Sequence, residues 1–194
     1  MARLILVRHA MPVPPQPDDP ADHLRPLSAL GAQQALDLVP ALTAYGAKRV
    51  LSSPYTRAVQ TVEPTAAALG LQVELRDPIG EWRHGHRPPD DWVEHCHRAW
   101  ADPNWSTPTG ETHFAVTTRA VNALLAIAAE HSRDTVIIGT HGCWTSRALL
   151  WLGAPVDAAF WQSMPLPAIY EIRMDATSAQ HIQGPGLGDW RSTA

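Results

Sequence analysis

Three short aliphatic runs, each leading straight into cationic or imidazole side chains, constrain this chain more than any other feature. Leu4-Ile5-Leu6-Val7 leads into Arg8-His9-Ala10, Val50-Leu51 into Ser52-Ser53-Pro54-Tyr55-Thr56-Arg57, and Val136-Ile137-Ile138 into Gly139-Thr140-His141-Gly142. Runs this short, aliphatic and bounded by polar groups read as buried strands. In an open parallel sheet, ligands bind beyond the carboxyl ends of the strands. If the three runs are neighbours, two arginines and two histidines meet at one place. Four such groups call for an anion between them.

The rest of the chain supplies the helices that such a sheet needs. Ser28 sits as an N-cap ahead of a helix from Ala29 to about Ala44, closed by Gly46. A second strand spans Lys48 to Ser52. Pro54 suits the first turn of the next helix, which runs to Leu69 and stops at Gly70. Leu71 to Leu75 alternates as a third strand. Residues 78–110 are irregular, with one short helix around Trp92 to Ala101. Glu111 to Glu130 is a long helix whose apolar positions Val116, Ala120, Leu124, Ile127 and Ala128 keep a period near 3.6. Thr135 to Ile138 is a fourth strand, followed by a helix through Leu152, and Ile169 to Ile172 is a late strand at the sheet's edge. Strands alternating with helices predict an α/β layered sheet.

Composition sets the outer bounds. With 194 residues, 45 % of them hydrophobic, the chain suits one domain with a substantial core. A net charge of -4 offers no footprint for nucleic acid or an anionic membrane. The first apolar run is too short for a signal-peptide core, and no later run approaches a membrane span. Cys96 and Cys143 form no Cys-x-x-Cys motif, which favours a reducing, cytoplasmic compartment. A homo-oligomer is compatible with the sequence, which does not specify one. Eighteen prolines concentrate in Met11 to Pro26 and in Pro88 to Pro108, marking two irregular loops.

Arg57 is the telling residue on physical grounds. In the first turn of a helix a cation opposes the macrodipole by roughly 0.3–1 kcal/mol. An arginine that merely snorkels to water is the plain alternative; a bound anion reverses the argument, since helix amides and guanidinium then address the same charge. Arg8 follows a buried strand and cannot easily turn back into an apolar core. Two guanidiniums grip a phosphoryl group bidentately. A lone histidine at a strand end is more often structural, but His9 abuts Arg8, and His141-Gly142 repeats the arrangement. A neutral imidazole attacks phosphorus directly, splitting one hard displacement into two easier ones. A second histidine donates to the equatorial oxygens as charge redistributes, and Gly142 permits close backbone approach.

At this point the motifs match a family. Leu6-Val7-Arg8-His9-Ala10 resembles the Arg-His-Gly signature of the histidine phosphatase (phosphoglycerate mutase-like) superfamily, and Ser52 to Thr61 is similar to its second block. Leu27-Ser28 with Gly31 and Gln34-Ala35, then Gly110-Glu111-Thr112, then Gly139 to Gly142 resemble the other blocks in order. The resemblance runs from about Arg3 to Leu152. It implies a three-layer α/β sandwich: a mostly parallel central sheet with helices on both faces. The whole chain, 1–194, would be one such domain, with 78–110 an insertion covering the substrate. It also implies roles. His9 would accept the phosphoryl group, Arg8, Arg57 and His141 would complete the phosphate pocket with Gly142, and Glu81 of Glu81-Trp82-Arg83-His84-Gly85 would donate the proton. Trp82 and Arg83 would touch the substrate. A carboxylic acid that stays protonated needs a desolvated setting, which Trp82 would help supply. The plain alternative for Glu81 is a solvated loop carboxylate. Glu111, the rival acid, is expected in a helix's first turn. The implied activity is metal-independent hydrolysis of a small phosphorylated metabolite, with no cofactor. A phosphomutase using the same phosphohistidine, and a silent phosphate-binding module, are the alternatives. Ala10 and Pro15 depart from the family pattern, the latter where a polar phosphate contact is usual; Gly142 after His141 departs from the acid-phosphatase and phytase branch.

Other clusters read more plainly. His84-Gly85-His86 and His95-Cys96-His97 suggest a metal, but residues two apart on a helix face opposite ways and no carboxylate cluster accompanies them. Asp18-Asp19 and Asp90-Asp91 are solvated loop charges. Trp82, Trp92, Trp100 and Trp105 either pack a satellite core or wall the substrate site.

Overall fold

The computed structural model describes residues 1–15, 22–86, 91–175 and 177–191. Asp18, Asp19 and Asp90 lie outside the described residues. The expected α/β sandwich is found. Strands β1 (Ala2–Arg8), β2 (Arg49–Ser52), β3 (Val73–Leu75), β4 (Thr135–Thr140), β5 (Ala168–Met174), β6 (Ala179–Gln183) and β7 (Asp189–Arg191) form one sheet in the order β3-β2-β4-β1-β5-β6-β7. Pairing is parallel from β3 through β1 and antiparallel from β1 through β7. The three aliphatic runs are therefore adjacent, with β4 between β2 and β1, and their carboxyl ends converge.

Both faces of these strands are buried, which is why they read as continuous aliphatic runs. Helices α1 (Ala29–Asp37), α2 (Val39–Thr43) and α3 (Thr56–Leu69) cover one face, where Leu42, Val62 and Ala66 pack on Ile5, Val7, Val50 and Ile137. Helices α5 (His113–Glu130) and α6 (Gly142–Trp151) cover the other, where Ala120, Leu124, Trp144 and Leu149 pack on Leu4, Leu6, Leu51 and Ile138. The short α4 (Trp92–Ala101) and α7 (Ala158–Ser163) complete the set.

Several boundaries differ from expectation, each for a local reason. The first long helix is two pieces, because Pro40 has no N–H to give and its ring crowds the carbonyl four residues back. Pro54 precedes α3 instead of starting it: Tyr55 is extended and gives its N–H to Ser53 Oγ at 3.2 Å. Gly70, at φ 67°, closes α3 in the left-handed conformation as expected. Glu111 lies before α5, not in its first turn, since Thr112 is the N-cap and accepts from Ala115 N–H. β5 is longer than Ile169 to Ile172 and lies inside the sheet, not at its edge, because β6 and β7 continue beyond it. Among the described residues no helix is long and apolar enough to cross a membrane.

Candidate active site

The end of β1 is pinned before any ligand is considered. His9 N–H continues the ladder to Thr140 O at 2.9 Å. Ala10 N–H donates to Thr61 Oγ1 at 2.9 Å, and that hydroxyl donates to Arg57 O at 2.7 Å, which ties the strand end to the first turns of α3. His9 and Arg57 thus share one short network, as the sequence suggested.

The His9 ring has a defined tautomer. Nδ1 lies 2.8 Å from Ala10 O, a carbonyl that can only accept, so Nδ1 carries the hydrogen. Nε2 keeps its lone pair and accepts from Arg57 Nε at 3.3 Å. Burial, followed by the nearby Arg57 charge, pushes the His9 pKa down to about 3. The imidazole is neutral at physiological pH, with its nucleophilic nitrogen turned toward a guanidinium.

His141 begins α6 and is fully buried. Burial, then the neighbouring His9 and Arg57, holds its pKa well below the ordinary value. Its Nε2 lies 2.8 Å from Ser53 Oγ. That hydroxyl also accepts from Tyr55 N–H at 3.2 Å, which ties the His141 ring to the start of α3. Nδ1 has no partner among the described residues. The two imidazoles meet edge-on at 5.3 Å, and Tyr55 stands 4.9 Å from His141.

Arg57 is buried, with the Asp22 carboxylate on Nη2 at 3.1 Å and the Asp22 carbonyl on Nη1 at 2.8 Å. An anion does meet this first-turn cation, supplied here by the protein itself. Arg25 binds the same carboxylate at 2.8 Å. Arg8 gives Nη1 to the carbonyls of Met164 and Pro165, while its buried Nε has no partner among the described residues. A Cβ on Gly142 would stand 3.1 Å from Arg8 Nε and Nη2, so the missing side chain is what admits the guanidinium. Arg8, His9, Arg57, His141 and Gly142 are brought together as expected.

Glu81 joins them in an unexpected setting. Its Oε1 accepts from Trp82 N–H at 2.8 Å and Trp144 N–H at 3.1 Å, and its Oε2 from Cys143 N–H at 3.3 Å. The carboxyl group therefore caps the start of α6, and Trp82 serves it through its backbone N–H. Glu81 is close enough for its charge to act on Arg8 and Tyr55. Glu111 is different: burial would raise its pKa, but the Arg119 fork at 2.6 and 2.9 Å prevails and lowers it. Arg119 also donates to the carbonyls of Pro78, Gly80 and Glu81, clamping the loop that presents Glu81.

Of the two side chains expected at the substrate, Trp82 is buried in a small core and Arg83 is largely exposed. The Trp82 indole N–H donates to Glu111 O at 2.7 Å and the ring packs in a small core with Cys96, Ala99, Val116 and Cys143. The Arg83 side chain reaches Glu111 at 3.8 Å. Trp105 joins the small core and Trp100 the large one, whereas Trp92 is 41 % exposed and lines a cavity beside Arg8. On α4, His95 faces in and His97 out, as helix geometry requires. No group of three or more His, Cys, Asp or Glu among the described residues could hold a metal ion. Sequence reasoning missed Asp22, Arg25, Ser53 and Arg119. Ser53 lay inside a quoted motif; the others carried no local signal.

This arrangement, neutral imidazoles among buried guanidiniums at the carboxyl ends of parallel strands, defines an anion-handling α/β protein. The chain belongs to the histidine phosphatase superfamily (branch 1), whose family model matches residues 4–182. Among curated proteins none matches the sequence. Solved structures do. A mycobacterial glucosyl-3-phosphoglycerate phosphatase is 20 % identical, with a TM-score of 0.73 over 99 % of both chains. A mutant phosphoserine phosphatase from Entamoeba histolytica, in complex with phosphoserine, is 17 % identical, with a TM-score of 0.77 over 97 % of this chain and 98 % of that one. Bacillus stearothermophilus YhfR is 23 % identical, with a TM-score of 0.76 over 96 % and 97 %. At these identities the likeness is one of fold.

Proposed function

We propose that this protein is a phosphomonoesterase that hydrolyses a small phosphorylated metabolite through a phosphohistidine on His9. One observation carries the reading: the Nε2 lone pair of a neutral, buried His9 faces Arg57. The substrate phosphoryl group takes the place of the Asp22 carboxylate on Arg57. Nε2 attacks phosphorus in line, the bond to the leaving oxygen breaks, and that oxygen takes a proton from Glu81. Water then attacks the phosphohistidine, its proton passes to Glu81, the P–N bond breaks and the electron pair returns to Nε2. Arg8, Arg57 and His141 meet the charge on the equatorial oxygens.

The organic part of the substrate falls to the cavity of about 260 Å³ lined by Arg8, Trp92, Val93, Cys96, Trp161 and Gln162. Apart from Arg8 its lining is uncharged, which suits a compact and weakly polar group. α4, within 78–110, forms one wall, consistent with a substrate-covering role for that segment. The solved relatives named for phosphoserine and glucosyl-3-phosphoglycerate support the substrate class at the level of phosphorylated metabolites. Two buried free cysteines are consistent with a reducing, cytoplasmic setting.

The test uses phosphate release from p-nitrophenyl phosphate in the presence of chelator, with acid-labile labelling by a ³²P-phosphorylated substrate. Wild type should turn over and carry label, and His9→Ala should do neither while melting at a similar temperature. Turnover that needs a divalent ion, or label that survives in His9→Ala, refutes the reading.

A further inference from the structure

A second and larger cavity, about 560 Å³, opens among α4, α6 and the start of α7, and shares no lining residue with the cavity beside Arg8. Its walls include Trp100, Leu150 and Val156, and its charged or titratable lining residues are Arg147, Asp157 and His97. Arg147 is only 7 % exposed. Its Nε donates to Thr117 Oγ1 at 2.9 Å and its guanidinium lies 5.4 Å from the Trp100 ring. No carboxylate pairs with it among the described residues. Asp157, across the cavity, has one oxygen committed to Phe160 N–H at 2.8 Å, where it caps α7.

Arginine is almost never this buried without an anion, and its planar fork matches a carboxylate bidentately. A single guanidinium with an aspartate in the same cavity favours a monoanion over a phosphate dianion. Apolar walls favour a hydrocarbon or aromatic body. We infer that this cavity is a second ligand site, which takes a small carboxylate with an apolar body. The carboxylate lies on Arg147 and the body against Trp100, Leu150 and Val156. The inference does not depend on the chemistry at His9.

Isothermal titration calorimetry with 4-phenylbutyrate, against 4-phenyl-1-butanol as its uncharged counterpart, tests this. The acid should bind saturably at one site, the alcohol at least tenfold more weakly, and saturating vanadate should leave the titration unchanged. Arg147→Met should weaken the acid at least tenfold. Ala101→Trp, which narrows the cavity from an exposed wall position with Arg147 intact, should weaken both compounds and decides the matter should Arg147→Met fail to fold. Alcohol binding as tightly as acid, competition by vanadate, acid affinity untouched by Ala101→Trp, or no heat at millimolar acid overturns the proposal.

Discussion

Gly142→Ala separates the two contributions this glycine makes, because they respond with opposite sign. An added Cβ would sit 3.1 Å from Arg8 Nε and Nη2 and 3.2 Å from Cζ, a few tenths of an ångström inside ordinary contact. The neighbour is the far end of a flexible side chain, so Arg8 can yield cheaply. Gly142 is not among the positive-φ glycines, so alanine meets no backbone strain there. Replacing glycine by alanine at a compatible position stabilises by about 0.4–1 kcal/mol, or about 1–4 °C in Tm for a domain of this size. Catalysis should move the other way. A misplacement of about 1 Å can cost on the order of 10²-fold, so a few tenths at a guanidinium that grips the phosphoryl group should cost about tenfold in kcat/KM. Vanadate affinity should fall with it. Melting curves and steady-state kinetics on p-nitrophenyl phosphate measure both, and Arg8→Ala with and without Gly142→Ala completes a cycle. The two changes should be strongly non-additive, since without the Arg8 guanidinium the new methyl group displaces nothing. An unchanged kcat/KM with unchanged vanadate affinity would show that Arg8 does not grip the phosphoryl group. A large drop in Tm would make Gly142 a structural residue instead.

Glu81→Gln should slow hydrolysis of alkyl phosphates by on the order of 10²–10⁴-fold, and of aryl phosphates far less, because a phenoxide leaves without a proton. Glu111→Gln should show no such selectivity, and the reverse pattern in parallel steady-state assays would move the acid to Glu111. Stability should fall as pH drops from about 7 toward 4: unfolded imidazoles protonate near 6.5, whereas folded His9 does so at about 3 and folded His113 at about 4, chiefly because both are buried. The unfolded state then holds more protons throughout that window, a loss on the order of 2 kcal/mol per histidine at pH 5. A Tm that is flat or rising as pH falls from 7 to 5 contradicts it.

The sequence revealed the parts of the site that lie on or next to buried strands. Four aliphatic residues before Arg8, and three before Gly139, leave few alternatives to a central strand, and the polar residue after each must emerge at its carboxyl end. His9, Arg57 and His141 were legible for that reason. Asp22 and Arg119 were not, because each acts from a distant segment: Asp22 from the proline-rich loop, Arg119 from the second turn of an otherwise ordinary amphipathic helix. β6 and β7 were missed because Ala179-Gln180-His181-Ile182-Gln183 and the three residues of β7 carry little aliphatic signal. The role of Trp82 was misjudged because adjacency in sequence says nothing of where a ring turns once its backbone N–H is committed to the preceding carboxylate.

Glu81 and Glu111 show how one loop sorts two carboxylates. Both lie near α6 and α5, and both were candidate acids on sequence grounds. Arg119 gives two of its hydrogen bonds to the Glu111 carboxylate and the others to backbone carbonyls of the 78–81 segment. Glu111 is thereby kept ionised and occupied, and the same guanidinium fixes the backbone from which Glu81 projects. Glu81 forms no salt bridge among the described residues; it receives amides from Trp82 and, at the positive end of the α6 dipole, from Cys143 and Trp144. Those two amides are consequently unavailable to a phosphoryl group, although the start of a helix is a usual place to bind one. The phosphate charge then falls to side chains, and two side-chain nitrogens at the site, Arg8 Nε and His141 Nδ1, have no partner among the described residues. With two amides of the α6 terminus given to Glu81, two arginines and a second histidine are the groups that stand ready for an anion at the strand ends.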